Sequence, residues 1–170
     1  MGSTPTRPLH LNMHNLKGEG IMKLKIFLST IIVLAFLGVA DSSYALYQHY
    51  APPETSSCDV NETISCTAIN QSDYSVLLGM PVAGLGMAGY ALISALAVAM
   101  MVQFRKLLAG WLLLAVTIVA LIFSLWLTWI EVFILKAVCP LCVLSLLAIT
   151  AITVLALLVS LLSRRETVDA

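Results

Sequence analysis

The sequence Ala137-Val138-Cys139-Pro140-Leu141-Cys142-Val143-Leu144 governs the interpretation of the whole chain. It places a Cys-x-x-Cys pair at the start of an apolar segment, and residues 139–163 carry no charged side chain before Arg164. About 20 consecutive apolar residues suffice for a helix to cross a bilayer. The sequence therefore predicts a spanning helix over residues 139–163, with a two-electron redox pair at its membrane edge.

The composition of the whole chain is also that of a membrane protein. Of its 170 residues, 60% are hydrophobic and only 11% are charged, and the mean hydropathy is +0.98. Soluble domains are about half apolar and about a quarter charged. No basic cluster with interleaved aromatic residues and no glycine-rich phosphate loop occurs, so no nucleic-acid partner is expected.

Further apolar segments precede the Cys-x-x-Cys helix, and together they predict an all-α integral membrane four-helix bundle. The predicted spans cover about residues 23–47, 81–104, 107–130 and 139–163. The polar residues 1–22 are predicted to form a disordered cytoplasmic tail, and residues 164–170 a second cytoplasmic tail. The first span has an alternative, because its basic start, apolar core and small residues Gly38-Val39-Ala40 are also typical of a cleaved signal peptide.

The loop between the first two spans, residues 48–80, carries the remaining cysteines, Cys58 and Cys66. It is acidic, contains no Lys or Arg, and has Pro52 and Pro53 near its start, where they interrupt a helix. We call Cys58 and Cys66 the loop pair, and Cys139 and Cys142 the helix pair. The loop is predicted to form a cysteine-bearing cap outside the membrane.

Basic residues near the helix ends predict the orientation of the bundle. In a four-span arrangement, one side of the membrane carries almost all of them, namely Lys17, Lys23, Lys25, Arg105, Lys106, Arg164 and Arg165. The other side has only Lys136. Because basic flanks stay in the cytoplasm, both termini are predicted to be cytoplasmic and both cysteine pairs extracytoplasmic, in a multi-pass protein of the plasma (inner) membrane. Disulfide chemistry belongs to that compartment.

The helix pair has the features of a reactive dithiol. Cys139 lies at a predicted helix N-terminus, and Pro140 suits the first helical position. The free amides and the dipole of that terminus favour a thiolate. Cys142 lies one turn deeper among apolar side chains, which predicts contact with an apolar two-electron acceptor such as a membrane quinone.

The loop pair is suited to exchange with a soluble protein thiol, which proceeds through a mixed disulfide. The predicted route runs from a partner dithiol to the loop pair, then to the helix pair and to the quinone. Three other interpretations remain open: two structural disulfides, a four-thiolate zinc site, and cysteines that are merely buried. No metal site is predicted.

Several short motifs resemble the vitamin K epoxide reductase family. They are Cys58-Asp59-Val60, Ile64-Ser65-Cys66, Ser72, Tyr74, Gly79-Met80-Pro81, Gly86-x-x-x-Tyr90, Ser42-Ser43-Tyr44-Ala45-Leu46, and Trp129 ten residues before Cys139-Pro-Leu-Cys142. The resemblance covers about residues 30–160. It implies a four-helix bundle around a quinone, capped by the loop, in a prokaryotic-type homologue that supports disulfide formation in exported proteins.

The resemblance also implies a role for each site residue. Cys58 would exchange with a thioredoxin-like partner, Cys66 would bridge to Cys139, and Cys142 would act on the quinone. Ser72 resembles the serine that helps to hold the cap. Because the chain stops at Ala170, the partner is expected to be a separate thioredoxin-fold, DsbA-like protein.

Two departures from the vertebrate pattern concern the quinone contacts. Leu146 stands where vertebrate members have a tyrosine, and the stretch around Val82 lacks their asparagine. Leu146 and Val82 are therefore the predicted quinone-contacting residues beside Cys142. A plain quinone of the ubiquinone or menaquinone type is expected, rather than an epoxide.

Two rival functions use the same cysteines differently. The DsbB type of disulfide generator also has four helices and two cysteine pairs, but its Cys-x-x-Cys belongs to the first external loop rather than to the fourth helix. A non-catalytic membrane protein stapled by structural disulfides is the rival from another class. For an ion path, Asp41 is the only acidic candidate within the predicted spans.

Overall fold

The structure, a computed structural model, describes residues 9–52, 58–61, 63–77, 79–102 and 106–168. Its elements, in chain order, are α1 (Leu9–Tyr50), α2 (Cys66–Asn70), a 3-10 turn (Asp73–Ser75), β1 (Val76–Leu77), β2 (Met80–Pro81), α3 (Val82–Val102), α4 (Lys106–Ile130), a π-helical turn (Glu131–Leu135) and α5 (Pro140–Val168). The described part of the chain is therefore predominantly helical, with one two-stranded antiparallel hairpin.

Within these ranges, four helical segments are long and apolar enough to cross a membrane. They are Gly20–Tyr50, Val82–Val102, Leu108–Leu135 and Pro140–Arg164. This confirms the predicted all-α four-helix membrane bundle.

The bundle core is a set of apolar side chains at helical spacing. α1 packs against α3 and α5, and α4 packs against α5. The core is lined by Leu28, Ile31, Ala35, Ile93, Ala97, Leu113, Ile152, Ala156 and Val159. Small residues such as these alanines allow close approach of helices in lipid, where dispersion rather than water exclusion holds helices together. Because α1 supplies part of this core, the packing favours a spanning helix over a signal peptide.

The first helix is longer than predicted. α1 begins at Leu9, so the prediction of a disordered tail is wrong for residues 9–22, while residues 1–8 lie outside the described ranges. No proline occurs between Pro8 and Pro52. Gly18 and Gly20 each cost a helix only about 1 kcal/mol. Nothing in the sequence therefore stops the first span from extending towards the N-terminus.

The third helix also extends further than predicted, because a π-helical turn over Glu131–Leu135 continues it. The turn ends at Lys136, whose left-handed backbone (φ 52°) lets its N–H bond to the Glu131 carbonyl. The Ala137 N–H also donates to that carbonyl, at 3.2 Å. Residues 131–135, predicted to begin a loop, are thus helical, and the connection to α5 is correspondingly short.

The cap consists of residues 58–61, 63–77 and 79–81 and is ordered by local hydrogen bonds. Ser65 caps α2 by accepting from the Ala68 N–H at 3.1 Å. The Asp59 carboxylate accepts from the Ser65 hydroxyl at 3.0 Å and from the Thr67 N–H at 3.1 Å. These bonds fix the segment between the two loop cysteines.

The cap is also bonded to the end of α1. The Gln71 amide donates to the carbonyl oxygens of Gln48 and Ala51, at 3.2 and 2.8 Å. The His49 imidazole is hydrogen-bonded to the Asn70 carbonyl. The cap therefore sits directly over the mouth of the bundle.

A tight contact between α1 and α3 predicts a destabilising substitution. A Cβ added at Gly38 would lie 2.6 Å from ring carbons of Tyr90. Because that ring is buried, we expect Gly38→Ala to lower the free energy of unfolding by about 1–3 kcal/mol. Thermal unfolding in detergent measures this loss of stability as a lower melting temperature. Gly84→Ala is the matched control, since no atom of the described residues lies within 4 Å of a Cβ placed there. Equal melting temperatures for the two variants would contradict the contact.

Candidate active site at the cap and the fourth spanning helix

The four cysteines meet where the cap covers the N-terminus of α5. Cys58 and Cys66 form a disulfide with Cα atoms 5.7 Å apart, while Cys139 and Cys142 are free thiols. The Cys139 sulfur lies 3.4 Å from the Cys66 sulfur. Both Cys66 and Cys139 are fully buried, whereas Cys58 and Cys142 are partly exposed. The two pairs are therefore adjacent, with one buried sulfur of each pair in contact.

A short β-bridge holds the pairs together. Ile64 bridges Val138, the residue before Cys139, and the Val138 N–H donates to the Thr63 carbonyl at 2.8 Å. From the cap side, the Asn70 amide donates to the Cys66 carbonyl at 3.1 Å and lies 4.0 Å from the Cys139 sulfur. The main chain thus aligns the segment before Cys66 with the segment before Cys139.

Cys139 is the N-cap of α5, and Pro140 is its first helical residue, as the sequence predicted. The Val143 N–H donates to the Cys139 carbonyl at 3.1 Å. The pKa of the Cys139 thiol is lowered, chiefly by a hydrogen bond from the Cys142 thiol, which outweighs the opposing effect of burial. The N–H groups of Cys142 and Leu141 lower that pKa further. The helix end therefore favours the thiolate of Cys139.

A cavity of about 430 Å³ extends from Cys142 into the bundle. Its volume falls within the usual range for small-molecule sites. Most of its surface is apolar, and it is lined by residues that include Val82, Leu85, Ile93, Val116, Phe123, Leu127 and Ile149. A flat apolar ring next to the Cys142 sulfur fits this lining.

A few polar groups face the same cavity. The Tyr90 hydroxyl lies 2.9 Å from both the carbonyl and the hydroxyl oxygens of Ser145. Asp41 and His49 also line the cavity, and one buried carboxyl oxygen of Asp41 has no hydrogen-bond partner among the residues that the structure describes. Such isolated polar groups in an apolar cavity can orient the oxygens of a ligand.

The three predicted quinone-contacting residues do not all lie at the cavity. Cys142 and Val82 line the cavity, whereas Leu146 packs against the apolar core of the bundle. The quinone contact of Leu146 therefore stays a prediction, with the side chain packed against the core in this structure. On a helix, residues three and seven positions after Cys142 share its face, and these are Ser145 and Ile149, which do line the cavity.

Ser72, the predicted support of the cap, bonds within the cap itself. Its hydroxyl donates to the Ile69 carbonyl at 2.8 Å, and its carbonyl accepts from the Ser75 N–H at 2.9 Å. Ser75 in turn lies 3.3 Å from the His49 ring. Ser72 thus connects α2 to the turn that faces α1.

Glu131 is the site residue that sequence reasoning missed. Only 4% of its surface is exposed, and its carboxyl lies within hydrogen-bonding reach of the Cys142 thiol and the Cys139 N–H. The sequence feature that could have identified Glu131 is an acidic residue directly after an apolar span. It was overlooked because the span was predicted to end at residue 130, which placed Glu131 in a loop.

The loop disulfide bears on the zinc-site alternative. A four-thiolate zinc site needs all four sulfurs as thiolates, but Cys58 and Cys66 are bonded to each other. Inert packing does not account for the contact between the Cys66 and Cys139 sulfurs either. The arrangement can pass a disulfide from one pair to the other.

Comparison with known proteins agrees with this chemistry. A family model described as "Vitamin K epoxide reductase family" matches residues 29–157. The matched range covers about three quarters of the chain and includes the cap, the cavity and all four cysteines. No curated protein matches the chain.

Proposed function

This protein belongs to the vitamin K epoxide reductase family and is a membrane thiol–disulfide oxidoreductase, and from that premise we propose the route its electrons take. They pass from a thioredoxin-fold, DsbA-like partner to the loop pair, then to the helix pair, and finally to a membrane quinone of the ubiquinone or menaquinone type. The result is disulfide formation in exported proteins.

The observation that carries this proposal is the distance of 3.4 Å between the Cys66 and Cys139 sulfurs. Reacting atoms held about 3–3.5 Å apart are in near-attack geometry. The loop pair is oxidised and the helix pair reduced. In the proposed cycle, this is the state just before the quinone is reduced.

The relay consists of balanced thiol–disulfide exchanges. The partner's dithiol reduces the Cys58–Cys66 disulfide and leaves as a disulfide. The Cys66 thiolate then attacks Cys139 of the oxidised helix pair, which forms a Cys66–Cys139 bond and releases Cys142 as a thiol. Cys58 next attacks Cys66, which restores the loop disulfide and releases Cys139. Each step breaks one S–S bond and forms another.

The helix pair is reoxidised at the cavity. A bound quinone supplies a sink for two electrons and two protons. The Cys142 sulfur would lie against its ring, with Val82 on the cavity wall and the Tyr90 and Ser145 hydroxyls available to its oxygens. Cys142 is partly exposed and lines this cavity. Because the cavity wall is mostly apolar, it keeps water away from the reacting sulfur.

The proposed orientation places the cap and both pairs outside the plasma membrane, with both termini in the cytoplasm. It is supported by the basic residues of the described helices. Lys23 lies at the end of the α1 span remote from the cap, and Arg164 at the remote end of the α5 span. Basic flanks on one side are the pattern of cytoplasmic ends.

Quinone consumption tests the proposed function. Purified protein in detergent would receive dithiothreitol and a short-chain ubiquinone, and the quinone absorbance would be followed. We expect the wild type to consume quinone in many turnovers. Consumption no faster than with protein whose thiols have been alkylated would favour a membrane protein stapled by structural disulfides.

The Cys66→Ser variant is expected to capture the partner protein in a mixed disulfide. Cys58 is the more exposed member of the loop pair, so it is the sulfur that a partner thiol can reach. In Cys66→Ser, the free Cys58 thiolate attacks the disulfide of an oxidised DsbA-like protein, which forms one S–S bond and releases one partner thiol. No second loop cysteine can resolve this mixed disulfide, so we expect an adduct with the DsbA-like protein. Non-reducing electrophoresis measures it. Cys58→Ser is the matched control and should give no adduct; adducts of equal yield in both variants would contradict the assignment of Cys58.

A further inference from the structure

Glu131 is a buried acid in direct reach of the redox pair. It begins the π-helical turn at the end of α4, within a segment apolar enough to cross a membrane. Ionisable side chains within spanning segments are costly and are typically found where they serve proton, ion or ligand chemistry. Short π-helical turns within α-helices also occur often at functional sites.

The contacts of Glu131 point to the helix pair. Glu131 and Cys142 line the same cavity, and the Cys142 thiol and the Cys139 N–H are the hydrogen-bonding groups that act on the Glu131 carboxyl. The Cys142 thiol is also within reach of the Cys139 sulfur. The carboxyl and the two sulfurs therefore form a continuous chain, along which protons can be shared.

The position of the carboxyl is set by the main chain. The carbonyl of Glu131 accepts the N–H groups of Lys136 and Ala137, which closes the turn. Glu131 also lines the cavity that begins at Cys142. Glu131 thus lines the same cavity as the reacting thiol and faces the space proposed for the electron acceptor.

Other titratable groups surround the site. Those that face the same cavity are Asp41 and His49 on α1, Tyr74 in the cap and Tyr90 on α3. The charges that act on the Cys142 thiol are those of Cys139 and Glu131. Lys136, after the turn, is exposed. Of the carboxyls that the structure describes, Glu131 is therefore the one placed to share a proton with Cys142.

We propose that Glu131 is a catalytic residue: it takes the proton of the Cys142 thiol and delivers it to the electron acceptor in the cavity. This inference rests on the proposed function. As the helix pair is oxidised, two S–H bonds break, one S–S bond forms, and two electrons leave the sulfurs. Two O–H bonds form on the quinone. Glu131 carries one of the two protons and ends the step as a carboxylate again.

The first test is the alkylation of Cys142 by iodoacetamide in the quinone-free protein, followed by peptide mass spectrometry over a range of pH. Where a thiol and a carboxylate share one proton, the thiolate fraction is constant between their two macroscopic pKa values. We therefore expect a plateau through neutral pH in the wild type. In Glu131→Gln the rate should rise about tenfold per pH unit, as for a thiol that loses its proton to solvent.

Asp41→Asn is the matched control for the alkylation profile, because it removes a carboxyl from the same cavity without touching a cysteine; it should keep the plateau. If Glu131 acted only through its charge, Glu131→Gln would react at lower pH than the wild type, with no plateau in either protein. That outcome would overturn the proposal. So would a wild-type rate that climbs steadily with pH, a result that does not depend on how well the variant folds.

The second test is a single turnover of the reduced protein with a short-chain ubiquinone. Proton transfer by a positioned group contributes about 10²–10⁴-fold to a rate. We expect oxidation of the helix pair to slow about a hundredfold in Glu131→Gln, and an unchanged rate would overturn the proposal. If the wild type itself consumed no quinone, the proposed function would fail, whereas the alkylation profile would still report on Glu131 and Cys142.

Discussion

Cys142→Ser is expected to reduce quinone turnover to the uncatalysed background. Cys142 is the helix-pair sulfur that lines the cavity, whereas Cys139 is buried against Cys66. A serine hydroxyl cannot take part in a disulfide, so the two electrons of the pair have no way to leave together. Loss of a residue at the centre of a catalytic unit costs about a thousandfold or more.

Steady-state quinone absorbance with dithiothreitol as donor measures this loss. The variant should remain folded, because Cys142 is only partly buried and serine is slightly smaller than cysteine. An unchanged melting temperature is the control for folding. A variant that keeps most of the wild-type rate would show that Cys142 is not the sulfur from which the quinone receives electrons.

Much of the bundle could be predicted because a spanning helix is encoded by one continuous apolar segment of the sequence. Residues 139–163 are uncharged and long enough to span a bilayer, and α5 forms there. Pro140 and the preceding Cys139 likewise predict the start of a helix, and α5 begins at Pro140. The cysteine spacing, with its family resemblance, was enough to identify the chemistry.

The predictions that differ from the structure concern features that a local sequence pattern does not contain. The start of α1 at Leu9 reflects the absence of a helix-breaking residue, which polarity alone does not reveal. Glu131 was misplaced because a charged residue ordinarily ends a predicted span, whereas here the π-helical turn carries it inside. Leu146 was assigned to the quinone by family position; in the structure it packs against the bundle core, and its quinone contact stays a prediction.

The contact between Cys66 and Cys139 could be expected only from the resemblance. The two residues are 73 positions apart, and their distance is set by the bridge between Ile64 and Val138. That pairing joins a cap segment to the short connection before α5. No periodicity or motif in either segment predicts it, because a bridge of one residue pair has no repeating pattern.

Cys142→Ser is also expected to accumulate a disulfide between Cys66 and Cys139. The Cys139 sulfur lies 3.4 Å from the Cys66 sulfur. The variant loses the Cys142 thiol, whose hydrogen bond is the largest cause of the lowered Cys139 pKa, but it keeps the α5 N–H groups that also favour the Cys139 thiolate. Without Cys142, the Cys139 thiolate can attack only the neighbouring loop disulfide. The exchange forms Cys66–Cys139 and releases Cys58 as a thiol, with no external oxidant needed.

Peptide mass mapping without reductant, after alkylation in acid to stop exchange, measures the linkage and the released Cys58. The matched control is Cys139→Ser, which keeps the loop disulfide and the cavity but lacks the attacking sulfur; its only linkage should be Cys58–Cys66. The wild type should show little of the crosslink at rest, because Cys142 can reclaim Cys139. If Cys142→Ser also yielded Cys58–Cys66 alone, the two pairs would not exchange directly, and the relay would need another route between the cap and α5.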